Sequence, residues 1–339
     1  KKYWEKIHQP NFEYRFLPHN MFEYRGNPIA IFLSYMVRVM QVRKILNSEK
    51  VQTIYSSSDI AYADIWPAYW FIGRHPKAKW ISRIYHVILS PHHRQGNYFV
   101  NAIAFWLQRL SFWMMKRRST TILALNDKLY DEVLELGFPK NRLGVLGAGI
   151  DFKFIHQHRA KKKYPYDVVV LGRLTPVKGI FDMIKIWDRV HKKKPNLRLA
   201  WMGGGADNYQ RKIEEQLSQK DLVSTFELLG FLDKDKVYDV LKSAKVFLCP
   251  DHENGWGLAV CEAMSSGLPV VSYNLDIFGS VYKKGYTSVP LYDTKSFADE
   301  LLDLLNDEPR RKKMAKDAAD QARQFDHDRV TAKLVEYIK

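Results

Sequence analysis

Asp167-Val168-Val169-Val170-Leu171-Gly172-Arg173-Leu174-Thr175-Pro176-Val177-Lys178-Gly179 reads as an apolar strand that stops at a glycine, a loop with two cations, and a helix that opens after a second glycine. An unbroken apolar run without polar alternation suits a strand covered on both faces, as in a parallel sheet. The loop after such a strand lies at the carboxyl edge of the sheet, where ligands usually bind and helix amino ends present free N–H groups. The pattern returns at Val246–Cys249. That run is followed by Pro250, the loop His252-Glu253-Asn254-Gly255-Trp256-Gly257, and a helix that carries Glu262 and is terminated by Gly267 and Pro269.

Outward from these loops, short β-type runs alternate with amphipathic helical runs, the arrangement of parallel α/β domains. In the second half the expected strands are 167–171, 198–202, 226–229, 246–249 and 269–272; in the first half they are 12–17, 53–56, 79–85, 121–124 and 143–146. Lys1 to Pro10 read as the tail of a helix. No strand with a glycine-rich loop precedes them, so a first strand of the usual doubly wound kind is expected outside this numbering, or the topology departs from it. A polar stretch near 157–163 is the expected linker. The division is then 1–160, 161–325, and a last helix, 326–339, expected to fold back on the first domain.

With 339 residues, 46% of them hydrophobic, the chain is long enough for two domains and too apolar for disorder. Its formal charge of +16 is uneven: residues 1–160 hold 23 Lys/Arg against 11 Asp/Glu, a net of +12, and the remainder nets +4. A basic half attracts anionic lipid, an acidic small acceptor or nucleic acid. Zinc-finger spacing, RNP-like aromatics and a basic region with heptads are all lacking, which argues against nucleic acid. The most apolar stretch, Tyr98 to Met115, is interrupted by Asn101, Gln108 and Arg109, which argues against a membrane span, and it lacks the pattern of a signal peptide. Cys249 and Cys261 form no CxxC and read as buried, reduced thiols, which favours the cytoplasm.

Arg173 can grip a phosphate with two parallel N–H bonds while Lys178 acts as a point charge. Glu262 can accept two hydrogen bonds from a ribose diol. Taken singly, two loop cations are ordinarily solvated, Glu262 is a plain helix carboxylate, and Gly255 and Gly257 are turn glycines. Both loops at one sheet edge favour a bound diphosphate.

Gly172–Gly179 together with Asn254–Pro269 resembles the retaining nucleotide-sugar glycosyltransferases of the GT-B fold, family-4 type, and the likeness covers most of 167–324. It implies an α/β protein of two Rossmann-like domains facing an interdomain cleft, and transfer of a sugar from a UDP- or GDP-linked donor to a saccharide or lipid-linked acceptor. By the resemblance, Arg173 and Lys178 hold the donor diphosphate, Glu262 the ribose, the backbone near Gly230, Phe231 and Leu232 the base, and Glu253 or Asn254 through Gly255, Trp256, Gly257 and Leu258 the transferred sugar, with Gly172 and Gly204 close by. It implies no cofactor and no metal, the Arg/Lys pair standing in for a divalent ion. Gly147–Asp151 resembles the turn before the linker. The family's paired acids stand eight apart, whereas here Asn254 occupies the first place and Glu253 the residue before it.

His86 follows an expected strand, where it orients an acceptor hydroxyl or serves only structure. His92-His93-Arg94 completes no familiar metal-ligand spacing. Phe99, Ile103, Trp106, Leu110, Trp113 and Met114 recur at helical spacing ahead of Lys116-Arg117-Arg118. Core packing is the first reading of that stripe; peripheral contact with an anionic membrane, helped by Tyr3, Trp4 and Tyr24, is the second. Two other functions stay open: a sugar-nucleotide epimerase or hydrolase on the same frame, and a degenerate transferase that only binds.

Overall fold

The computed structural model of the chain describes residues 13, 15–23, 27–60, 64–94 and 97–339. The helix tail expected at Lys1–Pro10, the side chains of Tyr3, Trp4 and Tyr24, and Phe12 at the start of the expected strand 12–17 lie outside these residues; residues 15–17 carry no strand. Packing divides the chain into two units, one reaching to Val145 and including Tyr337–Lys339, the other Leu146–Glu336.

The first unit holds four parallel strands in chain order: β1 (Thr53–Ser56), β2 (Lys79–Ile84), β3 (Thr121–Ala124) and β4 (Leu143–Val145). Three helices, Pro28–Ser48, Tyr98–Arg118 and Asp127–Glu135, begin after an asparagine whose side chain accepts an N–H of the first turn. These bonds, Ala30 N to Asn27, Val100 N to Asn97 and Leu129 N to Asn126, satisfy donors that a helix start leaves unpaired. Lys79 Nζ donates to the carbonyls of Ile338 (2.9 Å) and Lys339 (2.7 Å), and the Tyr337 ring covers Gly144.

The stripe on Tyr98–Arg118 corrects the expectation of core packing. Phe99, Ile103 and Trp106 are 76%, 61% and 68% exposed, and Trp113 is also exposed; of the stripe only Met114 is buried. Asn101, Gln108 and Ser111 face inward alongside Phe112 and Met115. Gln108 is buried because it bridges the chain after β2, donating to His86 O (2.9 Å) and accepting from Ile88 N (2.7 Å).

The second unit holds six parallel strands, β5 (Val168–Leu171), β6 (Leu199–Met202), β7 (Phe226–Gly230), β8 (Val246–Cys249), β9 (Val270–Tyr273) and β10 (Tyr286–Val289), in the order β10-β9-β8-β5-β6-β7. Its core lies between this sheet and helices such as Ile180–Lys193, which buries Ile180, Met183, Ile184, Ile186, Trp187 and Val190. Residues 146–160 pack here as well. Ile150 bridges Asp326, and His158 Nε2 meets Asp239 Oδ1 at 2.7 Å with both side chains buried. Among the described residues no helix is long and apolar enough to cross a membrane.

Candidate functional site

In the second unit, β5 leads to β6 and β7 on one side while its other neighbour, β8, leads to β9 and β10 on the opposite side. A sheet that changes direction in this way opens a crevice at the carboxyl ends of the two central strands. The loops leaving β5 and β8 are the two that the sequence singled out.

Their backbones are locked together by glycines that no other residue can replace. Gly179 has φ of 71°, and a Cβ there would fall 1.9 Å from the carbonyl oxygen of Pro250. His252 N donates to Val177 O at 2.9 Å, a second tie between the loops. On the other side, Gly172 N donates to Met202 O, Leu174 N to Gly204 O, and Trp201 Nε1 to Gly172 O at 2.8 Å. Gly203, at φ of 132°, leaves only 2.1 Å between an added Cβ and Gly172 O, and its N–H donates to Gly230 O (2.7 Å). Gly204 faces open space.

Lys178 Nζ forms an ion pair with Asp251 Oδ2, an atom that also accepts from Asn254 Nδ2 at 2.8 Å. Asn254 Oδ1 in turn accepts from Trp256 N at 3.1 Å, so the buried Asp251 organises both the cation and the loop. Burial pushes the Asp251 carboxyl up from its ordinary value, against the pull of Lys178 and Asn254. Arg173 is exposed, and its guanidinium has no hydrogen-bond or ion-pair partner among the described residues. Glu253 is exposed too. Beneath the loop, His252 Nε2 lies 2.9 Å from Asp182 Oδ2, which accepts from the Tyr273 hydroxyl at 3.2 Å. Burial, reinforced by the Asp182 charge, pushes that hydroxyl well above its usual range.

The helix Leu258–Ser265 starts from Gly257 in the left-handed region, φ of 83°. Trp256 is buried, its ring over Gly147 and edge-on to Phe325 at 5.2 Å, while the Tyr282 hydroxyl donates to the carbonyls of Trp256 (3.1 Å) and Gly257 (2.9 Å). The Trp256 indole therefore braces the loop, and Leu258, half exposed at the helix start, is the more accessible side chain. Glu262 is half-buried and accepts from the Tyr238 hydroxyl across a long 3.4 Å. Burial raises its pKa, partly opposed by Lys234 and Tyr238. Phe231, 90% exposed, and half-buried Leu232 follow Gly230 and lead into the helix Lys234–Ser243, which carries Lys234 and Tyr238. Hydrogen bonds thus tie Gly203 to Gly230 and Tyr238 to Glu262, and Asp251 joins Asn254 to Lys178.

His86 belongs to the first unit. Its Nδ1 lies 3.3 Å from Asp59 Oδ2, and buried Asp59 also accepts the backbone N–H groups of Tyr85 and His86. The hydrogen bond to Asp59, more than any other effect, raises the His86 pKa. The sequence reading missed Asp251, Asp182 and Tyr238. Asp251 had a signal, an acid directly after the Pro250 that closes β8, whereas the other two are visible only once strands and helices are paired. Among the described residues no group of three or more His, Cys, Asp or Glu is placed to hold a metal ion.

The chain matches the family model of glycosyl transferases group 1 over residues 151–321, half of its length. It is 25% identical to a glycogen synthase of Mycobacterium tuberculosis over 198 residues, 58% of this chain and 47% of that protein. The identity to a D-inositol 3-phosphate glycosyltransferase of Corynebacterium glutamicum is 28% over 180 residues, 49% and 41% of the two chains. The matches thus take in about half the length of these curated relatives or less. Among solved structures, Anabaena HepE in complex with UDP superimposes with a TM-score of 0.72 at 17% identity, covering 88% of this chain and 82% of that one. Staphylococcus aureus TarM gives 0.69 at 17%, covering 88% and 58%. These likenesses show the GT-B fold, and with the family match they establish that the chain belongs to the glycosyl transferases group 1.

Proposed function

We propose that the chain is a retaining glycosyltransferase that moves a sugar from a nucleotide diphosphate to a hydroxyl of a saccharide or lipid-linked acceptor. The observation that carries this reading is the junction of the loops after β5 and β8, where Arg173 is uncommitted and Lys178 is held by Asp251. When the anomeric C–O bond to the β-phosphate breaks, negative charge collects on the departing diphosphate. Fixed cations and oriented N–H groups stabilise that charge without reorganisation. Lys178 has three N–H donors, so the ion pair with Asp251 leaves others for a phosphate. The leaving oxygen takes the proton of the acceptor hydroxyl as the new C–O bond forms on the same face, so no protein nucleophile enters. Arg173 and Lys178 supply the positive charge that a divalent ion would otherwise bring, which makes the reaction metal-independent.

In this reading Glu262 receives the ribose and exposed Phe231 with Leu232 lies against the base. Asn254, Glu253 and the backbone of Gly255–Leu258 meet the transferred sugar. The second unit binds the donor and the basic first unit presents an anionic acceptor, with His86 orienting its hydroxyl. Buried, free Cys249 and Cys261 suit the cytoplasm. The double substitution Arg173→Ala with Lys178→Ala is expected to lower turnover by ~10³-fold or more and to abolish the thermal shift given by UDP or GDP. Unchanged turnover in that variant would overturn the assignment.

A further inference from the structure

The helix Tyr98–Arg118 leaves one apolar face uncovered. Residues 99, 103, 106, 110 and 113 share one narrow face at 3.6 residues per turn, and four of the five, Phe99, Ile103, Trp106 and Trp113, are exposed large hydrophobics. The residues that this helix buries are Asn101, Gln108 and Ser111 together with Phe112, Met114 and Met115 in its last turns. A helix that covers a sheet ordinarily turns polar residues to the outside, and a contiguous exposed apolar patch marks a place where something else binds. Leu89, in the segment before the helix, is 57% exposed.

The segment that carries this face is cationic. From Ile65 to Asn126, 62 consecutive residues contain nine Lys/Arg and no carboxylate. His92, His93 and Arg94 are exposed just ahead of the helix, and Arg117 sits over the exposed Trp113 ring at 5.8 Å. Two copies of such a face would repel one another. Nucleic acid is a poor match for aliphatic Ile103, which offers neither a stacking plane nor a donor to phosphate. Apolar and aromatic side chains flanked by cations match the headgroup region of an anionic bilayer, where rings and aliphatic groups enter the acyl boundary and the cations meet lipid phosphates.

We propose that this face seats the chain on an anionic lipid surface, with Phe99, Ile103 and Trp106 inserted at the interface. The inference is independent of sugar transfer, because the inserted residues lie in the first unit and the donor loops in the second. The test is co-sedimentation with phosphatidylcholine vesicles that contain or lack phosphatidylglycerol. The whole chain is expected to bind the anionic vesicles and to be released by salt. Phe99→Ser with Ile103→Ser and Trp106→Ser is expected to weaken binding by roughly 100-fold or more, with the melting temperature and nucleotide binding unchanged. A second readout needs no folded triple variant: brominated lipid should quench the tryptophan fluorescence of the unaltered chain, and Trp106→Phe should remove part of that quenching. Absence of vesicle binding, equal binding by the triple variant, or a dimer in light scattering that the triple variant dissociates would each overturn the proposal.

Discussion

The helices Ile180–Lys193 and Tyr98–Arg118 have the same topological task, each carrying the crossover between two neighbouring parallel strands, and they meet it differently. Ile180–Lys193 turns Ile184, Trp187 and Val190 inward and exposes Lys185, Arg189 and Lys192. Tyr98–Arg118 buries Phe112 and Met115 but also turns Asn101 and Gln108 inward, and it exposes Phe99 and Trp106. In the second unit the body of the fold is ordinary, and the proposed chemistry falls to the loops at one sheet edge. In the first unit the departure from ordinary packing is spread over a surface. A site that must orient a small ligand needs a few groups fixed to fractions of an ångström, whereas a surface that meets a fluid partner needs area and charge.

If the donor loops are the rigid member of this pair, the largest effect should come from their tightest contact. Gly179→Ala forces a Cβ against Pro250 O at a positive φ. The left-handed conformation and the overpacking together should cost about 3 kcal/mol, measured by urea unfolding, and nucleotide binding should fall as Pro250 moves. A variant as stable as the parent would separate the two loops energetically and break the comparison on the donor side. On the other side, Gln108→Leu replaces a polar inward residue with the one that ordinary patterning would choose. It leaves His86 O and Ile88 N without their partner and should destabilise by about 2 kcal/mol. Stabilisation would mean that the helix is amphipathic in the usual sense after all.

These two sites also mark how far the sequence could be read. β5 and β8 were legible because Val168–Leu171 and Val246–Cys249 are continuous apolar runs ended by Gly172 and Pro250. β10 was not, because Thr287 and Ser288 interrupt its apolar character. The helix short of Gln157 and the polar residues after it look solvated, yet His158 and Lys161 N both bind Asp239, since polarity marks exposure and not the unit with which a segment packs. The 99–113 stripe announced a face, but periodicity carries no information on which way that face points. Asp251 escaped because the motif begins counting at Asn254, while the cation that gives Asp251 its meaning arrives from a different strand.

The smallest effect is also the most discriminating for the donor loops. Glu262 is half-buried with one long hydrogen bond, and burial raises its pKa above the unfolded value. A carboxylate so shifted favours the folded state most below the unfolded pKa, about 4.3, and that contribution is lost as pH rises through the folded value. At neutral pH Glu262 therefore opposes folding of the free chain, as a group held ready for a ligand often does. Glu262→Gln should raise the melting temperature at pH 7.5, and the gain should shrink towards pH 5. In the role proposed for Glu262, the same change removes a charged acceptor for the ribose hydroxyls and should weaken nucleotide affinity about 10-fold, or ~1.4 kcal/mol. A gain in stability without loss of affinity would leave Glu262 a plain helix carboxylate, whereas opposite signs in the two measurements would make its burial a cost that the bound nucleotide relieves.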